Sequence, residues 1–573
     1  MMRSFRILIL LFVYLLIIVQ FVHSLLVAGH DWDLDTFLYL GSRLENGELV
    51  YFRDFETKLP LLQYIFWFPS HFGGIGLWRS ITFIASLVLI VNSTHIIVTA
   101  VIDDRVAQKS SRKIVLLSSC VSLLFLYSLP GSSSAHISMF AAVFMYQAIA
   151  LWHRALQRKF GENHYIGCAA ATAIAVSIRP NYLYAIPAFA MFSIIPAIAL
   201  TEIHKYNYAI KQLALFGIAL SFFILIQFVP YFFYVNGPSV LLSALLAMRQ
   251  FSQGLSFIEL LRSQFFDDRV VRLLYLCIYA SLGFLLFISL QRKDNGNSYV
   301  IRLSGILTCT IAIVALDYSF LTISFWPHYS IMLVPYAALL ITYLCILVFE
   351  RDTIVKAGFV SVNTEGAFLS IILLVGLYVC VATKVLHKSN ELMFKIEQRN
   401  LAINDRKINP DLMELLQQMI GRGISFYVPI NVNYHRLLNH PRIGDGHPVI
   451  LYEILRHRRV GPVDSIFLYS DKVHRSPCRA LWQSGKDFIV TEMGEQDFIV
   501  AETGELEVVR CLTGPGSDYE ELLSREINWS LGALVKKLQL CPFPCYRFFI
   551  YKPRLGEILG LLNQDEGSRN ERN

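Results

Sequence analysis

Of the 573 residues, 55% are hydrophobic and only 16% are charged, and the mean hydropathy is +0.50, which excludes a soluble globular protein of this length. The formal net charge is +7, but the basic residues stand in short clusters between apolar segments, a pattern that reads as membrane topology and excludes a nucleic-acid surface. The chain is therefore expected to be an α-helical polytopic membrane protein.

A helix crossing ~30 Å of hydrocarbon needs about 20 apolar residues. Eleven segments meet this expectation, at 7–29, 76–101, 114–130, 138–152, 163–178, 182–202, 213–235, 272–291, 303–320, 329–349 and 366–384. The first follows Arg3 and Arg6, but it is long for a signal peptide and is read as a retained helix with a cytoplasmic N-terminus. Alternate loops are then basic: Arg105 to Lys113, Arg154 to Lys159, Lys205 and Lys211, Arg292 and Lys293, Arg351 and Lys356. The loops around Ser132 and Ser324 carry no Lys or Arg. An odd number of crossings places the loops at 30–75 and 236–271 and everything after 385 in one extracytoplasmic compartment. Two domains are expected: a transmembrane domain over 1–384 and an extracytoplasmic α/β domain over 385–573.

The loop at 30–75 is dense in chemistry. Asp31, Asp33 and Asp35 crowd the membrane edge, followed by Asp54, Glu56 and Lys58. Acids there are costly unless water, a cation or a reaction retains them. Phe37, Tyr39, Leu40 and Leu44 fall near one helical face and Gly47 is a stop signal, which predicts an amphipathic surface helix; a second short helix is predicted after Pro60. The acids have three readings: a solvated loop, a divalent-cation site, or a catalytic base.

The spacing Asp35-x-x-x-Tyr39, Gly47, Tyr51-x-x-Asp54, Lys58-x-Pro60 resembles the first outer loop of GT-C class glycosyltransferases, the group that includes lipid A aminoarabinose transferases and protein O-mannosyltransferases. Thr36 stands where many of those enzymes carry a Glu after the Asp. The resemblance implies a many-helix membrane fold, a polyprenyl-phosphate sugar donor, a lipid, glycan or protein acceptor, and a catalytic acid in this loop. Asp35 is the expected base, with Asp33 and Asp54 as its supports, and Lys58 is the expected phosphate contact, with Tyr39 beside it. No organic cofactor is implied; a divalent cation stays open.

Later in the chain, GSSSAH ends on His136, expected to cap a helix or to line a cavity, with the structural role preferred. Arg179 precedes Pro180 at the end of the fifth segment, where it can bind a phosphate in bidentate fashion or reach lipid headgroups; similar Arg-Pro elements occur in GT-C relatives. The segment 236–271 is long enough for a lid and carries Arg249 as a substrate contact, with Gln253, Arg262 and Arg269 nearby. In WPHY, Trp326 and Tyr329 suit an aromatic belt. The element also resembles the helix start that faces the donor site in GT-C enzymes, which makes His328 and Tyr329 substrate-binding candidates.

After 385 the chain becomes charged and then strand-like. DFIVTEMGEQ and DFIVAETGEL form a tandem repeat that predicts two strands, and ISFYVPI predicts another. Cys478, Cys511, Cys541 and Cys545 allow three disulfide pairings in an oxidising compartment. A cluster of Tyr434, His435, Arg436, His440 and Arg442 suits an anionic headgroup or an acceptor. The sequence thus predicts an inverting glycosyltransferase on the outer face of the cytoplasmic membrane. The alternatives are a polysaccharide polymerase or ligase and, further off, a lipid-linked sugar flippase.

Overall fold

The computed structural model describes residues 15, 17–25, 32–44, 47–51, 58–101, 108–129, 132, 134–155, 163–184, 186–187, 189–190, 203–242, 331–349 and four strands between 426 and 551. Its helices are α1 (Trp32–Arg43), α2 (Leu61–Phe72), α3 (Gly74–Val101), α4 (Gln108–Ser128), α5 (Ile137–Ala155), α6 (Asn163–Ile178), α7 (Ile203–Leu225) and α8 (Val334–Phe349). Helices α3 to α8 coincide with six of the expected crossings, and residues 17–25 are helical within the first. The segments 272–291, 303–320 and 366–384, and most of 182–202, lie outside the described residues.

Among the described residues, Gly74–Ala100, Ser111–Ser128 and Ile210–Phe233 are long and apolar enough to cross a membrane, and Asn163–Ile178 and Ile331–Ile346 are shorter apolar helices. Two of the long helices show lipid-type stripes. Ile218, Phe222, Leu225, Val229 and Phe232 are exposed on the third, and Ile84, Val88 and Val91 on the first, at alternating spacings of four and three residues. Large apolar side chains repeating along one helical face are stable against hydrocarbon, and water would penalise them. Helix α8 is instead buried on all sides from Val334 to Ile346, the environment an all-apolar helix requires.

One crossing departs from its expected form. The α-helix α7 stops at Leu225 and continues as a 3₁₀ helix over Ile226–Phe233, which contains Pro230. Proline has no N–H, and its ring clashes with the carbonyl four residues earlier, here that of Ile226; the helix changes type at that residue.

The amphipathic helix expected in the opening loop is α1, with Leu34, Phe37, Leu38 and Leu40 buried. The helix expected after Pro60 is α2. They meet at Gly41, where an added Cβ would lie 2.5 Å from the carbonyl carbon and oxygen of Phe66, so only glycine permits the approach. A run of aromatic contacts then fastens both to the bundle: Phe37 to Phe66 at 5.4 Å between ring centroids, Phe66 to Trp78 of α3 at 4.2 Å, and Trp78 to Phe140 of α5 at 5.3 Å.

The strands are β1 (Phe426–Tyr427), β2 (Phe488–Met493), β3 (Tyr519–Glu521) and β4 (Cys545–Tyr551), in sheet order β1-β2-β4-β3. Strand β1 runs parallel to β2, and β4 is antiparallel to both β2 and β3. The first copy of the tandem repeat forms β2, and Cys545 opens β4 opposite Met493. The second copy and Cys478, Cys511 and Cys541 lie outside the described residues.

Candidate functional site

One end of the bundle gathers the start of α2, the start of α5, the end of α6, the 3₁₀ end of α7 and the start of α8. The opening loop enters it through a tight turn. Gly47 has φ +74°, a left-handed conformation that glycine adopts without strain, and its N–H donates to Leu44. Arg43 pairs with Glu48 at 2.5 Å across this turn. Tyr51 also has positive φ, +78°, which is uncommon outside glycine. Its hydroxyl donates to the carbonyl of Lys58, and its ring lies 6.0 Å from that of Tyr231, so contacts at both sides hold the strained residue.

Two buried glutamines tie the loop down. Gln63 of α2 accepts from the Val50 N–H and donates to the carbonyls of Leu40 and Glu48, each at 2.9 Å. Gln227, on the 3₁₀ end of α7, accepts from the Leu61 N–H at 3.3 Å and donates to Ser177 Oγ at 2.8 Å. The hydroxyls of Tyr231 and Tyr234 donate to Val50 and Gly47 at 2.8 and 2.5 Å. Tyr64 donates to the Gln227 carbonyl at 3.1 Å. Burial, with Tyr234 nearby, pushes the Tyr64 phenol up to about 12.

These ties fix Lys58. The N–H of the next residue, Leu59, donates to the carbonyl of Ser177 at 3.0 Å. The Lys58 ammonium sits 5.0 Å from the centroid of the Phe37 ring on α1, a cation–π contact. The side chain therefore reaches the helix that also carries Asp33, Asp35 and Tyr39.

Arg179 stands two residues after Ser177, at the turn expected before Pro180, where α6 gives way to a 3₁₀ helix over Pro180–Tyr184. It is 6% exposed. Its Nε donates to Ser138 Oγ at 2.8 Å, and Nη2 lies 3.1 and 3.3 Å from the two ring nitrogens of His136. His136 also takes the cap position of α5: its Nδ1 accepts from the Ser138 N–H at 3.2 Å. The cap and the arginine contact thus coexist in one side chain. Trp78 braces the same turn by donating to the Ala135 carbonyl at 2.9 Å.

The third element arrives through Tyr182, whose hydroxyl donates to the Met332 carbonyl at 3.2 Å. This fixes the chain three residues beyond Tyr329 against the turn that holds Arg179. Lys58, Arg179 and the segment that follows WPHY, far apart in sequence, thus come to one end of the bundle. Asp54, Arg249, His328 and Tyr329 lie outside the described residues, and Asp33, Asp35 and Tyr39 are placed by the backbone of α1.

No protein-family model matches the chain, and no curated protein matches it. Among solved structures it is similar to ArnT from Cupriavidus metallidurans bound to undecaprenyl phosphate, at 13% identity and TM-score 0.48, over 87% of this chain and 96% of that one. It is also similar to an oligosaccharyltransferase from Archaeoglobus fulgidus in complex with Zn and sulfate, at 11% identity and TM-score 0.44, over 83% of this chain and 68% of that one. The likeness is one of fold.

Among the described residues, no group of three His, Cys, Asp or Glu side chains is placed to hold a metal ion. The acids weighed for a cation, Asp31, Asp33 and Asp35, are not among the side chains described. Gln63, Gln227 and Ser138 escaped the sequence reading. They are uncharged residues within helical segments, and only the carried backbone and guanidinium groups reveal their use. The signal available for Ser138 was its position two residues after His136 at a helix start.

Proposed function

We propose that the chain is an inverting glycosyltransferase that moves a sugar from a polyprenyl-phosphate donor to a lipid, glycan or protein acceptor on the outer face of the cytoplasmic membrane. The observation that carries this reading is the Leu59 to Ser177 hydrogen bond. It brings the backbone of Lys58 alongside that of Arg179, while the Lys58 ammonium reaches the acid-bearing helix α1. A lysine that reaches the acid-bearing helix and an arginine on the neighbouring turn suit a reaction that releases a phosphate and consumes a hydroxyl proton.

In this reaction a carboxylate, Asp35, takes the proton of the acceptor hydroxyl. The acceptor oxygen attacks the anomeric carbon from the face opposite the leaving group, and the bond from that carbon to the phosphate oxygen breaks. The electron pair of that bond leaves on the polyprenyl phosphate, whose growing charge Lys58 and Arg179 hold. Positions 33 and 35 lie ~200° apart about the axis of a helix. Asp33, whose position falls on the helical row of Phe37, and Asp54 support Asp35. Tyr39, His328, Tyr329 and Arg249 complete the donor and acceptor contacts.

The test is sugar transfer from a polyprenyl-phosphate donor in reconstituted membranes. Asp35→Asn, folded as the wild type, is expected to lose at least about 10²-fold in rate; full activity in that variant removes Asp35 as the base.

A further inference from the structure

Helix α2 begins at Leu61, three residues after Lys58, and its cap residue is Pro60, which offers no side-chain acceptor. The first amide groups of a helix need partners from outside the helix. Here the acceptor for Leu61 comes from a distant helix, as the Oε1 of Gln227 at 3.3 Å. The Gln227 amide nitrogen donates to Ser177 Oγ at 2.8 Å and to the Phe223 carbonyl at 3.0 Å, and Ser177 Oγ lies 2.7 Å from the Ala173 carbonyl, to which it donates. Gln227 is 4% exposed, so each of these polar atoms has exchanged water for a fixed partner.

One side chain therefore joins three pieces of chain: the start of α2, three residues from Lys58; the last turn of α6, two residues from Arg179; and the end of α7. The second join between the first two is the backbone bond from Leu59 to Ser177. Gln227 sits where the helix has become 3₁₀ ahead of Pro230, which carries its side chain to the junction.

We propose that Gln227 is a positioning residue that sets the separation of Lys58 and Arg179 and so tunes the site for a phosphate headgroup. This rests on the reading of Lys58 and Arg179 as phosphate ligands. An amide is suited to the task because it accepts from one backbone and donates to another hydroxyl at once, which neither a carboxylate nor an aliphatic side chain of the same length does. Ser177 is its counterpart: without the hydroxyl, the amide nitrogen keeps only the Phe223 carbonyl on its own helix.

The experiment measures binding of undecaprenyl phosphate and of uncharged undecaprenol to the full chain in lipid nanodiscs. Lys58→Ala and Arg179→Ala are expected to weaken undecaprenyl phosphate alone. Gln227→Leu is expected to weaken undecaprenyl phosphate about tenfold and leave undecaprenol unchanged, since misplacement of binding groups acts only on the group they contact. The tenfold loss shrinks in a Lys58→Ala background, because the two residues act through one site. Ser177→Ala, a smaller change, moves the same preference in the same direction and carries the test if Gln227→Leu does not fold. If the cation variants weaken the phosphate lipid while Gln227→Leu or Ser177→Ala does not, or weakens both lipids equally, the positioning role is overturned and the phosphate site stands. If Lys58→Ala and Arg179→Ala bind undecaprenyl phosphate as the wild type does, the phosphate site itself is wrong, and the role of Gln227 falls with it.

Discussion

Two buried polar networks in this molecule do different work. In the middle of the bundle, Asn92 and Ser93 of α3 donate to Gln147 of α5 at 3.1 and 2.8 Å. Beside them the Tyr146 hydroxyl stands 3.1 Å from both Thr94 and Thr342, the latter on α8. Every one of these contacts joins side chains on regular helices whose backbones are already satisfied. At the loop end the glutamines serve backbone groups outside regular helix hydrogen bonding: the N–H of Val50 and of Leu61, and the carbonyls of Leu40 and Glu48. The seam selects which helices pack together. The loop end holds irregular chain in one place, as the proposed transfer requires of its charged groups.

Substitutions break this contrast in order of size. Arg179→Ala is expected to lower transfer by about 10²- to 10³-fold, the loss typical of removing a group that stabilises developing charge. Arg179→Lys recovers part of that, because it keeps the charge and loses the Nε contact to Ser138; initial rates on the two variants check the order. Gly41→Ala and Gln63→Leu come next. The first forces a Cβ against the Phe66 backbone and the second strips three bonds from the loop, so each is expected to cost about 1–3 kcal/mol of unfolding stability.

Tyr64 gives a smaller, pH-dependent effect, since its ring is only half-buried. Its phenol is raised to about 12, above the ordinary value of 10.0, so its contribution is complete below pH 10 and is lost as the pH rises through the folded value. Tyr64→Phe is expected to flatten the stability profile above pH 10, read by thermal unfolding across that range. Thr342→Val, in the seam, is expected to cost only about 0.6 kcal/mol, the average for a hydrogen bond between helices in a membrane. A loss as large as that of Gln63→Leu would erase the distinction between the two networks.

The same contrast explains what the sequence made legible. Helices α3 to α8 were visible as apolar runs, because length and hydropathy are set locally. Lys58 and Arg179 stood out as charges beside prolines at a membrane edge. Gln227 did not, since a single amide within an apolar run has no pattern, and its value comes from meeting Leu61 and Ser177. The sequence offers His136 as a helix cap or a cavity residue, with the structural role preferred; it caps α5, and its contact with Arg179 depends on α5 and α6 packing side by side. The apolar run predicts a crossing to 235, and Pro230 turns its end into a 3₁₀ helix from Ile226.

The most direct measurement is the release of polyprenyl phosphate from a lipid-linked sugar donor by the reconstituted chain, with a membrane extract as the acceptor source, comparing wild type with Lys58→Ala. The expected result is acceptor-dependent release by the wild type and a loss of about 10²-fold in the variant at an unchanged unfolding temperature. Equal release by the two proteins, or none from the wild type with any lipid-linked donor, would contradict the account.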